Sequence, residues 1–151
     1  MNARRRRAPK VNPRYARFRV RLGRSGIHSW GVFALEDIPA GQRVMEYRGR
    51  RLSIQQAVDL KPPFDRYVVR LSRRWMLDGR IGGSGAERVN HSCDPNLSWR
   101  RERGHIFFVS RRRIRAGEEL TLRYQYPVKV RRVPCRCGSP KCRGTLRYLV
   151  S

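Results

Sequence analysis

Residues 88–96 read RVNHSCDPN, and this is the most distinctive stretch of the 151-residue chain. Within it, Asn90 and His91 offer directed hydrogen-bond donors and acceptors, and Cys93 offers a thiol that can bind a metal. The DPN end is typical of a turn. The stretch is too polar for a core strand, so it is either a solvated turn that holds a cysteine or part of a binding site.

The four cysteines of the chain predict a metal centre. Cys135, Cys137 and Cys142 form a C-x-C-x4-C pattern around a Gly-Ser-Pro turn, and the fourth is Cys93. Four thiolates complete one tetrahedral Zn²⁺ site with no cysteine left over. The alternatives are two disulfides or free thiols, but disulfides form in oxidising compartments and residues 1–10 lack the apolar stretch of a signal peptide. Zinc is therefore favoured, as a structural ion with no open position for catalysis.

A zinc ion would also explain how the C-terminal segment folds. Residues 134–151 contain few large apolar side chains, so burial alone would hold them weakly. A structural zinc contributes on the order of 10 kcal/mol to small sites, which exceeds the stability of many whole domains. Arg136, Lys141 and Arg143 stand where they could offset the negative charge of four thiolates.

Together, these two motifs are similar to those of the SET-domain protein lysine methyltransferases that carry a post-SET zinc segment. The resemblance continues in SGIHSWGVFA at residues 25–34, IPAG at 38–41, EYRG at 46–49, RY at 66–67 and GEELTLRY at 117–124. In order and spacing the motifs cover roughly residues 17–146. The trithorax-like branch of the family is the most similar.

Local patterns predict a mainly β chain with one short helix. Alternating or apolar runs predict strands at residues 17–22, 44–47, 66–71, 75–77, 97–100, 106–109 and 120–124. Ser53 and Gln56 form a capping box that opens the helix, and Lys-Pro-Pro at 61–63 ends it. The turns IPAG at 38–41 and IRAG at 114–117 have the same chemistry and look like tight strand connections.

The resemblance implies a SET-type fold. Such a fold has several small curved sheets, a C-terminal part threaded through a preceding loop as a pseudoknot, and a zinc-bound C-terminal segment. Residues 1–16 are basic, contain proline and lack periodicity, which is typical of a flexible arm. The expected organisation is this arm, a SET domain at 17–127 and a post-SET zinc segment at 131–151.

The resemblance further implies S-adenosylmethionine as the cofactor. The positions that match the family's cofactor site are His28, Trp30, Tyr67, Asn90, His91 and Arg136, the last through its backbone. Without the resemblance, the glycine-rich turn around Trp30 would be an ordinary hairpin loop, and Tyr67 would be a core-facing aromatic. A cysteine nucleophile paired with His91 is excluded because zinc claims Cys93.

The activity implied by the resemblance is methyl transfer from S-adenosylmethionine to the side-chain amine of a lysine in a protein. The substrate would be a histone or another basic DNA-associated protein. Tyr124 matches the family's catalytic tyrosine, and Tyr126, on the same strand face, is the second catalytic candidate. Without the resemblance, tyrosines two residues apart in a strand are more often packing residues.

Several positions depart from the family pattern. Ser84 stands for a usual Asn, and Glu87 and Arg88 replace a usual Arg-Phe pair. Leu122 occupies a position where relatives use Phe or Tyr to limit the number of methyl groups, whereas a bulky Trp99 narrows the same channel. The sequence therefore leaves the degree of methylation open.

The formal net charge of +25 comes almost entirely from arginine, since lysine occurs at only four positions. Arginine clusters at residues 4–7 and 111–113 predict salt-dependent contact with nucleic acid, although a solvated surface with an arginine codon bias explains them equally well. This charge repels a basic peptide, so either the substrate arrives bound to nucleic acid or carboxylates line a docking groove. The candidate carboxylates are Asp59, Asp65, Glu102, Glu118 and Glu119.

Two functions are consistent with these features. The first is an active protein-lysine N-methyltransferase whose partner is a lysine-containing protein or peptide. The alternative is a catalytically weak SET-like module that binds nucleic acid or a partner protein through its arginine-rich surface. No apolar run is long enough to cross a membrane, so we expect an intracellular monomer. Its place would be the nucleus and chromatin in a eukaryote, or the cytoplasm and nucleoid in a bacterium.

Overall fold

The chain adopts a mainly β fold in the computed structural model, which describes residues 10–60, 67–124 and 133–146. The strands are β1 (Val20–Arg24), β2 (Trp30–Ala34), β3 (Arg43–Tyr47), β4 (Arg50–Ser53), β5 (Val68–Arg70), β6 (Trp75–Asp78), β7 (Asn90–His91), β8 (Leu97–Glu102), β9 (His105–Ser110) and β10 (Glu119–Leu122). The described residues contain one α-helix, α1 (Ile54–Val58). The prediction of a mainly β fold with one short helix is confirmed.

The strands form three small sheets rather than one large one. Their orders are β1-β2-β10-β7, β3-β9-β8 and β4-β6-β5. The longest hairpin is β8–β9, which pairs six residues of each strand from Leu97↔Ser110 to Glu102↔His105. Arg103 and Gly104 connect the two strands with φ of 49° and 78°, and two left-handed residues are what a tight hairpin turn requires.

Strand β10 comes late in the sequence but lies between two earlier strands. It pairs antiparallel with β2 through Leu120↔Val32 and parallel with β7 through Thr121↔Asn90. The short β7 offers few ladder hydrogen bonds, so Asn96 adds side-chain contacts. Its Nδ2 donates to the Glu119 carbonyl and its Oδ1 accepts from the Thr121 N–H, both at 2.9 Å. This insertion of a late strand agrees with the threaded arrangement that was expected.

The core lies between the sheets and draws on most strands. Apolar side chains alternate with polar ones along the strands, and the inward set packs into one cluster. Its members with no exposed surface are Val32, Ile38, Val44, Ile106, Ile114 and Leu120. Ile38 and Ile114 begin the two turns of similar sequence, and their backbones exchange two hydrogen bonds of 2.8 Å. The two turns therefore face each other, which their sequences alone did not predict.

The capping signal at the start of α1 matches the sequence. Ser53 Oγ accepts from the Gln56 N–H, and the Gln56 side chain accepts from the Ser53 N–H, so the predicted capping box is confirmed. The helix ends at Val58, and the Lys-Pro-Pro sequence at 61–63 lies outside the described residues.

Among the described residues, none of the helices combines the length and the apolar character that a membrane span needs.

The described end of the predicted basic arm packs on the domain. Asn12 donates its N–H to the Ser84 carbonyl at 2.8 Å and caps a 3-10 turn at Pro13–Tyr15. Ala16 then forms a bridge with Met45, and the Arg17 N–H donates to the Val44 carbonyl. Residues 1–9 lie outside the described residues, so the extent of a flexible arm stays a prediction.

We expect Asn96→Ala to lower the free energy of unfolding by about 2–4 kcal/mol, because it leaves two buried backbone groups of β10 without partners. Urea titration followed by tryptophan fluorescence measures the change. Ser98→Ala is the matched control, because its hydroxyl makes one long hydrogen bond of 3.4 Å, and we expect an effect within about 0.5 kcal/mol. Equal stability of the two variants would contradict this role for Asn96.

Candidate functional site

The NHSC loop and the GEELTLRY segment meet along the β7–β10 pairing. Leu122 lies opposite His91 in the register, and the Ser92 N–H donates to the Leu122 carbonyl at 3.0 Å. Asn90, His91 and Ser92 are all buried although they are polar. Buried polar groups need hydrogen-bond partners, and the partners of these side chains show which segments the loop holds in place.

The amide of Asn90 holds the turn that precedes β2. Its Nδ2 lies 3.2 Å from the His28 carbonyl, 2.9 Å from the Trp30 carbonyl and 2.8 Å from Glu119 Oε1. The same carboxylate accepts from the Ser25 hydroxyl at 2.8 Å. A Cβ at Gly31 would lie 2.2 Å from Glu119 Oε1, so a larger residue here would displace this carboxylate. Three predicted cofactor positions, His28, Trp30 and Asn90, are thus adjacent.

The imidazole of His91 connects the strand end at Tyr124 to the cysteine cluster. Its Nδ1 accepts from the Tyr124 N–H at 3.0 Å, so the proton of the neutral ring is on Nε2, which lies 3.5 Å from Cys93 Sγ. Burial, together with the positive charge of Arg123, lowers the pKa of His91 to about 4. The ring is therefore neutral near pH 7 and fixed at both nitrogens.

The predicted catalytic Tyr124 lies beside this imidazole. Its hydroxyl donates to the Val89 carbonyl at 2.6 Å, and its ring meets the His91 ring edge-on with centroids 5.4 Å apart. Tyr126, the second catalytic candidate, lies outside the described residues.

An aromatic wall continues from Tyr124 into the core. Trp99 Nε1 donates to the carbonyl of Arg123 at 3.0 Å, and its ring packs edge-on against Phe108 with centroids 4.9 Å apart. Tyr47 packs against both rings and donates its hydroxyl to the Tyr67 carbonyl at 2.5 Å. Burial raises the pKa of Tyr47 well above its ordinary value, so this hydroxyl keeps its proton. The wall is apolar except for hydroxyl and carbonyl groups.

The four cysteines form one cluster, as predicted. All four Sγ atoms lie within 4.8 Å of one another, and Cys93 Sγ is 3.8 Å from Cys135 Sγ. A tetrahedral zinc with Zn–S bonds of about 2.3 Å requires S–S separations of about 3.8 Å, so the cluster fits that ion. Backbone N–H groups of Arg143 and Gly144 point at Cys93 and Cys142 at 3.4 Å, as donors to thiolates do.

The electrostatics of the four thiols differ, and burial raises the pKa of two of them, Cys93 and Cys135. Burial raises the pKa of Cys137, but hydrogen bonds from backbone N–H groups, including that of Ser139, outweigh it and bring the pKa to about 6. Arg136 lies between two cysteines with an exposed side chain. Lys141 approaches Asp94 of the NHSC loop at 3.5 Å, but both side chains are largely exposed, so this pair adds little stability.

Two residues that depart from the family pattern, Ser84 and Glu87, make hydrogen bonds that stabilise the loop around them. The Ser84 hydroxyl donates to the Glu46 carbonyl at 2.6 Å and accepts from the Ala86 N–H, so it anchors the loop before the NHSC motif. Glu87 Oε2 accepts from the Gly85 N–H at 2.8 Å, within the same loop. Both side chains therefore stabilise the approach to Asn90.

The carboxylates considered for a docking groove are partly engaged within the chain. Glu119 holds Ser25 and Asn90, and Glu118 pairs with Arg112 at 2.8 Å. Glu102 pairs with Arg43. The structural role of Glu119 was missed because its partners are 29 and 94 residues away in the sequence, and only the family motif that contains it signalled a constrained position.

This fold and this junction define a SET domain, and the chain belongs to the SET domain family. The family model described as SET domain matches residues 29–125. The predicted resemblance is therefore confirmed.

The similar proteins include histone-lysine N-methyltransferase set1 of Dictyostelium discoideum, which is 34% identical over 140 residues and matches 86% of this chain. Human histone-lysine N-methyltransferase SETD1A is 31% identical over 144 residues and matches 88% of this chain. The chain spans only 9% and 8% of the lengths of these two relatives. Relatives of the Set1 type agree with the branch that the motifs indicated.

Among solved structures, a similar one is a crystal structure of KRYPTONITE in complex with mCHH DNA, H3(1-15) peptide and SAH. It superposes with a TM-score of 0.73 at 28% identity, and the match covers 87% of this chain and 30% of that chain. The match extends across the described sheets, so the likeness concerns the whole domain and not one motif.

We expect the purified protein to contain about one zinc ion per chain, because four thiolates saturate one tetrahedral ion. Mass spectrometry of the metal content measures the stoichiometry. Cys137→Ser should lower the zinc content and the melting temperature together, whereas Ser139→Ala, beside it in the same turn, should leave both nearly unchanged. A wild-type protein without zinc but with four reactive thiols would contradict the metal centre.

Proposed function

We propose that this chain transfers the methyl group of S-adenosylmethionine to the side-chain amine of a lysine in a histone or another basic DNA-associated protein. The observation that carries the proposal is the junction of the NHSC loop, the turn before β2 and Tyr124. The Set1-type relatives are named histone-lysine N-methyltransferases, and the KRYPTONITE complex contains both SAH and a histone H3 peptide. We therefore place the protein on chromatin.

The residues at the junction fit the cofactor chemically. Backbone groups of His28 and Trp30 are held in place by Asn90. The rings of Trp30 and Tyr67 each have a guanidinium on one face, which leaves the other face for a nucleoside. The Asn90 amide nitrogen is occupied by protein carbonyls, so we assign to this residue the positioning of the turn as well as cofactor contact. His91 and the backbone of Arg136 complete the proposed site.

The cofactor supplies an electrophilic methyl group on a sulfonium, and the protein has to deliver a neutral amine to it. pH 7 lies about 3.4 units below the pKa of an unperturbed lysine. Deprotonating its ammonium group at this pH therefore costs about 4.6 kcal/mol. Trp99, the partly exposed ring of the aromatic wall, would desolvate the amine and lower its pKa, while Tyr47 and Phe108 support it from the core. The Tyr124 hydroxyl and the Val89 carbonyl are the polar groups that would orient it.

The zinc centre would fasten the C-terminal segment beside this junction. Cys93 belongs to the NHSC loop, and its carbonyl accepts from Arg123 at 2.6 Å, one residue before Tyr124. Cys135, Cys137 and Cys142 come from the segment that follows. We propose a SET domain at residues 17–127 and a post-SET segment at 131–151, joined through this ion.

We expect Tyr124→Phe to lower kcat by about 10²- to 10³-fold, because it removes one oriented polar group at the reacting amine. Transfer of tritiated methyl groups to histone H3 and to mixed basic proteins measures the rate. Tyr15→Phe is the control, since Tyr15 lies in the 3-10 turn under Arg14 and Arg48. Unchanged transfer by Tyr124→Phe, with SAH still bound, would show that the hydroxyl has no such role.

The second candidate function is nucleic-acid binding, and stacked arginines favour it. Guanidinium groups of Arg21, Arg43 and Arg51 lie 4.9, 4.3 and 5.4 Å from the ring centroids of Phe33, Phe107 and Trp75. Aromatic rings can stack on the bases of single-stranded nucleic acid, and neighbouring arginines can bind its phosphates. KRYPTONITE was crystallised with DNA, but this chain matches only 30% of that chain.

The structure separates two kinds of arginine cluster. In the predicted cluster at 111–113, Arg112 pairs with Glu118 and Arg113 pairs with Asp37. In the hairpin turn before β6, Arg73 and Arg74 are exposed next to Trp75, which is itself 40% exposed. The predicted cluster at 4–7 lies outside the described residues. The β5–β6 turn is therefore the better candidate for phosphate contact within the described part of the chain.

We expect the double substitution Arg73→Ala and Arg74→Ala to reduce the salt dependence of DNA binding, with a slope of log K against log salt that is smaller by about 2. Fluorescence anisotropy between 50 and 200 mM salt measures this slope. Over that range, a protein with several phosphate contacts typically loses about 10³- to 10⁵-fold in DNA affinity. Arg112→Ala with Arg113→Ala is the control pair, since both already have carboxylate partners. Equal slopes for the two double variants would contradict the assignment to the turn.

A further inference from the structure

Arg88 has an unusual environment for an arginine. It ends the 3-10 turn Ala86–Arg88, two residues before Asn90. Its guanidinium lies 5.5 Å from the centroid of the Tyr67 ring. Its Nε is buried, and no residue in the described ranges accepts a hydrogen bond from it.

A buried N–H without an acceptor is unfavourable and rare in folded proteins. Another stacked arginine of this chain shows how the group is normally satisfied. Arg101 lies 5.8 Å from the Trp99 ring centroid, and its Nε donates to the Arg70 carbonyl at 2.7 Å. The acidic neighbour of Arg88 is not its partner either, because Glu87 accepts from the Gly85 N–H. The acceptor for Arg88 is therefore either a bound ligand or a residue outside the described ranges.

The position of Arg88 identifies where that acceptor would sit. Tyr67 is on one side, and its carbonyl accepts from Tyr47 and from the Gly79 N–H at 2.9 Å. On the other side, Asn90 holds the carbonyls of His28 and Trp30. Arg88 thus contacts one residue assigned to the cofactor, Tyr67, and precedes another, Asn90, by two positions in the chain. The family usually has Phe here, so the charge is a feature of this chain.

We infer that Arg88 binds the carboxylate of the amino-acid end of the cofactor. The inference rests on the proposed cofactor site and adds a specificity determinant to it. The carboxylate is the anionic group of S-adenosylmethionine, and a guanidinium offers a planar pair of donors that matches it. Stacking on Tyr67 holds that plane in one orientation before the ligand arrives, which reduces the entropy lost on binding.

Isothermal titration calorimetry on the full chain tests this with two probes, S-adenosylhomocysteine and its decarboxylated analogue. The wild-type protein should bind S-adenosylhomocysteine about 10- to 100-fold more tightly than the analogue, as expected for one charged hydrogen-bonded pair. Arg88→Phe, which restores the usual family residue, should lose most of this preference. Its affinity for the decarboxylated analogue should change by less than about threefold.

Two further variants make the test specific. Arg51→Phe removes an arginine stacked on Trp75 and should keep the wild-type preference. Arg88→Lys keeps the charge without the planar fork, so its preference should be intermediate. It also replaces Arg88→Phe as the test variant if the latter does not fold.

Three results would overturn the inference. In the first, the wild-type protein binds both probes equally. In the second, Arg88→Phe weakens both probes by the same factor, which would make Arg88 a structural residue. In the third, neither probe binds the wild-type protein, and the proposed cofactor site then fails as well. The second result, which includes no change in either affinity, rejects the role of Arg88 while the proposed function stands.

Discussion

The arrangement of the site depends on the parallel pairing between β10 and the two-residue strand β7. Two residues provide too few ladder hydrogen bonds to hold a buried strand, so amide side chains supply the rest. Asn96 bonds to both Glu119 and Thr121 of β10, and Asn90 reaches back to the turn before β2. Each of these groups is buried, where an unpaired polar atom costs about 1–3 kcal/mol. Both the place of β10 between β2 and β7 and the geometry of the junction follow from these contacts.

Through His91, this pairing also joins the cleft to the cysteine cluster. The imidazole accepts from the Tyr124 N–H and presents its other nitrogen to Cys93. A metal bound at Cys93 would therefore fix the ring that orients Tyr124, and its four thiolate ligands would leave it no open position for a substrate. Because the C-terminal segment has little apolar surface to bury, metal coordination is the main force available to hold it there. Metal binding would thus couple the folding of the tail to the position of His91 and Tyr124.

The sequence predicted the features whose physics is local. The capping box at Ser53, the tight turns at Gly41 and Gly117, and the chemistry of the four cysteines all depend on neighbouring residues or on simple counting. It did not predict that the two turns pair, or that Glu119 anchors Asn90 rather than a substrate. These contacts join residues far apart in the sequence, and no periodicity encodes them. The family resemblance supplied the threading and the site positions, and the buried Nε of Arg88 required coordinates.

The charge of the chain bears on both candidate functions. A net charge of +25 favours a neutral lysine amine in the cleft, since a positive field lowers the pKa of an ammonium group. The same field repels the basic proteins that carry such lysines, and three of the carboxylates that could have relieved this, Glu102, Glu118 and Glu119, are engaged within the chain. A histone on DNA removes the conflict, because the phosphates attract the arginines while the lysine enters the cleft. The proposed nucleic-acid contact and the proposed methyl transfer would then be complementary parts of one function.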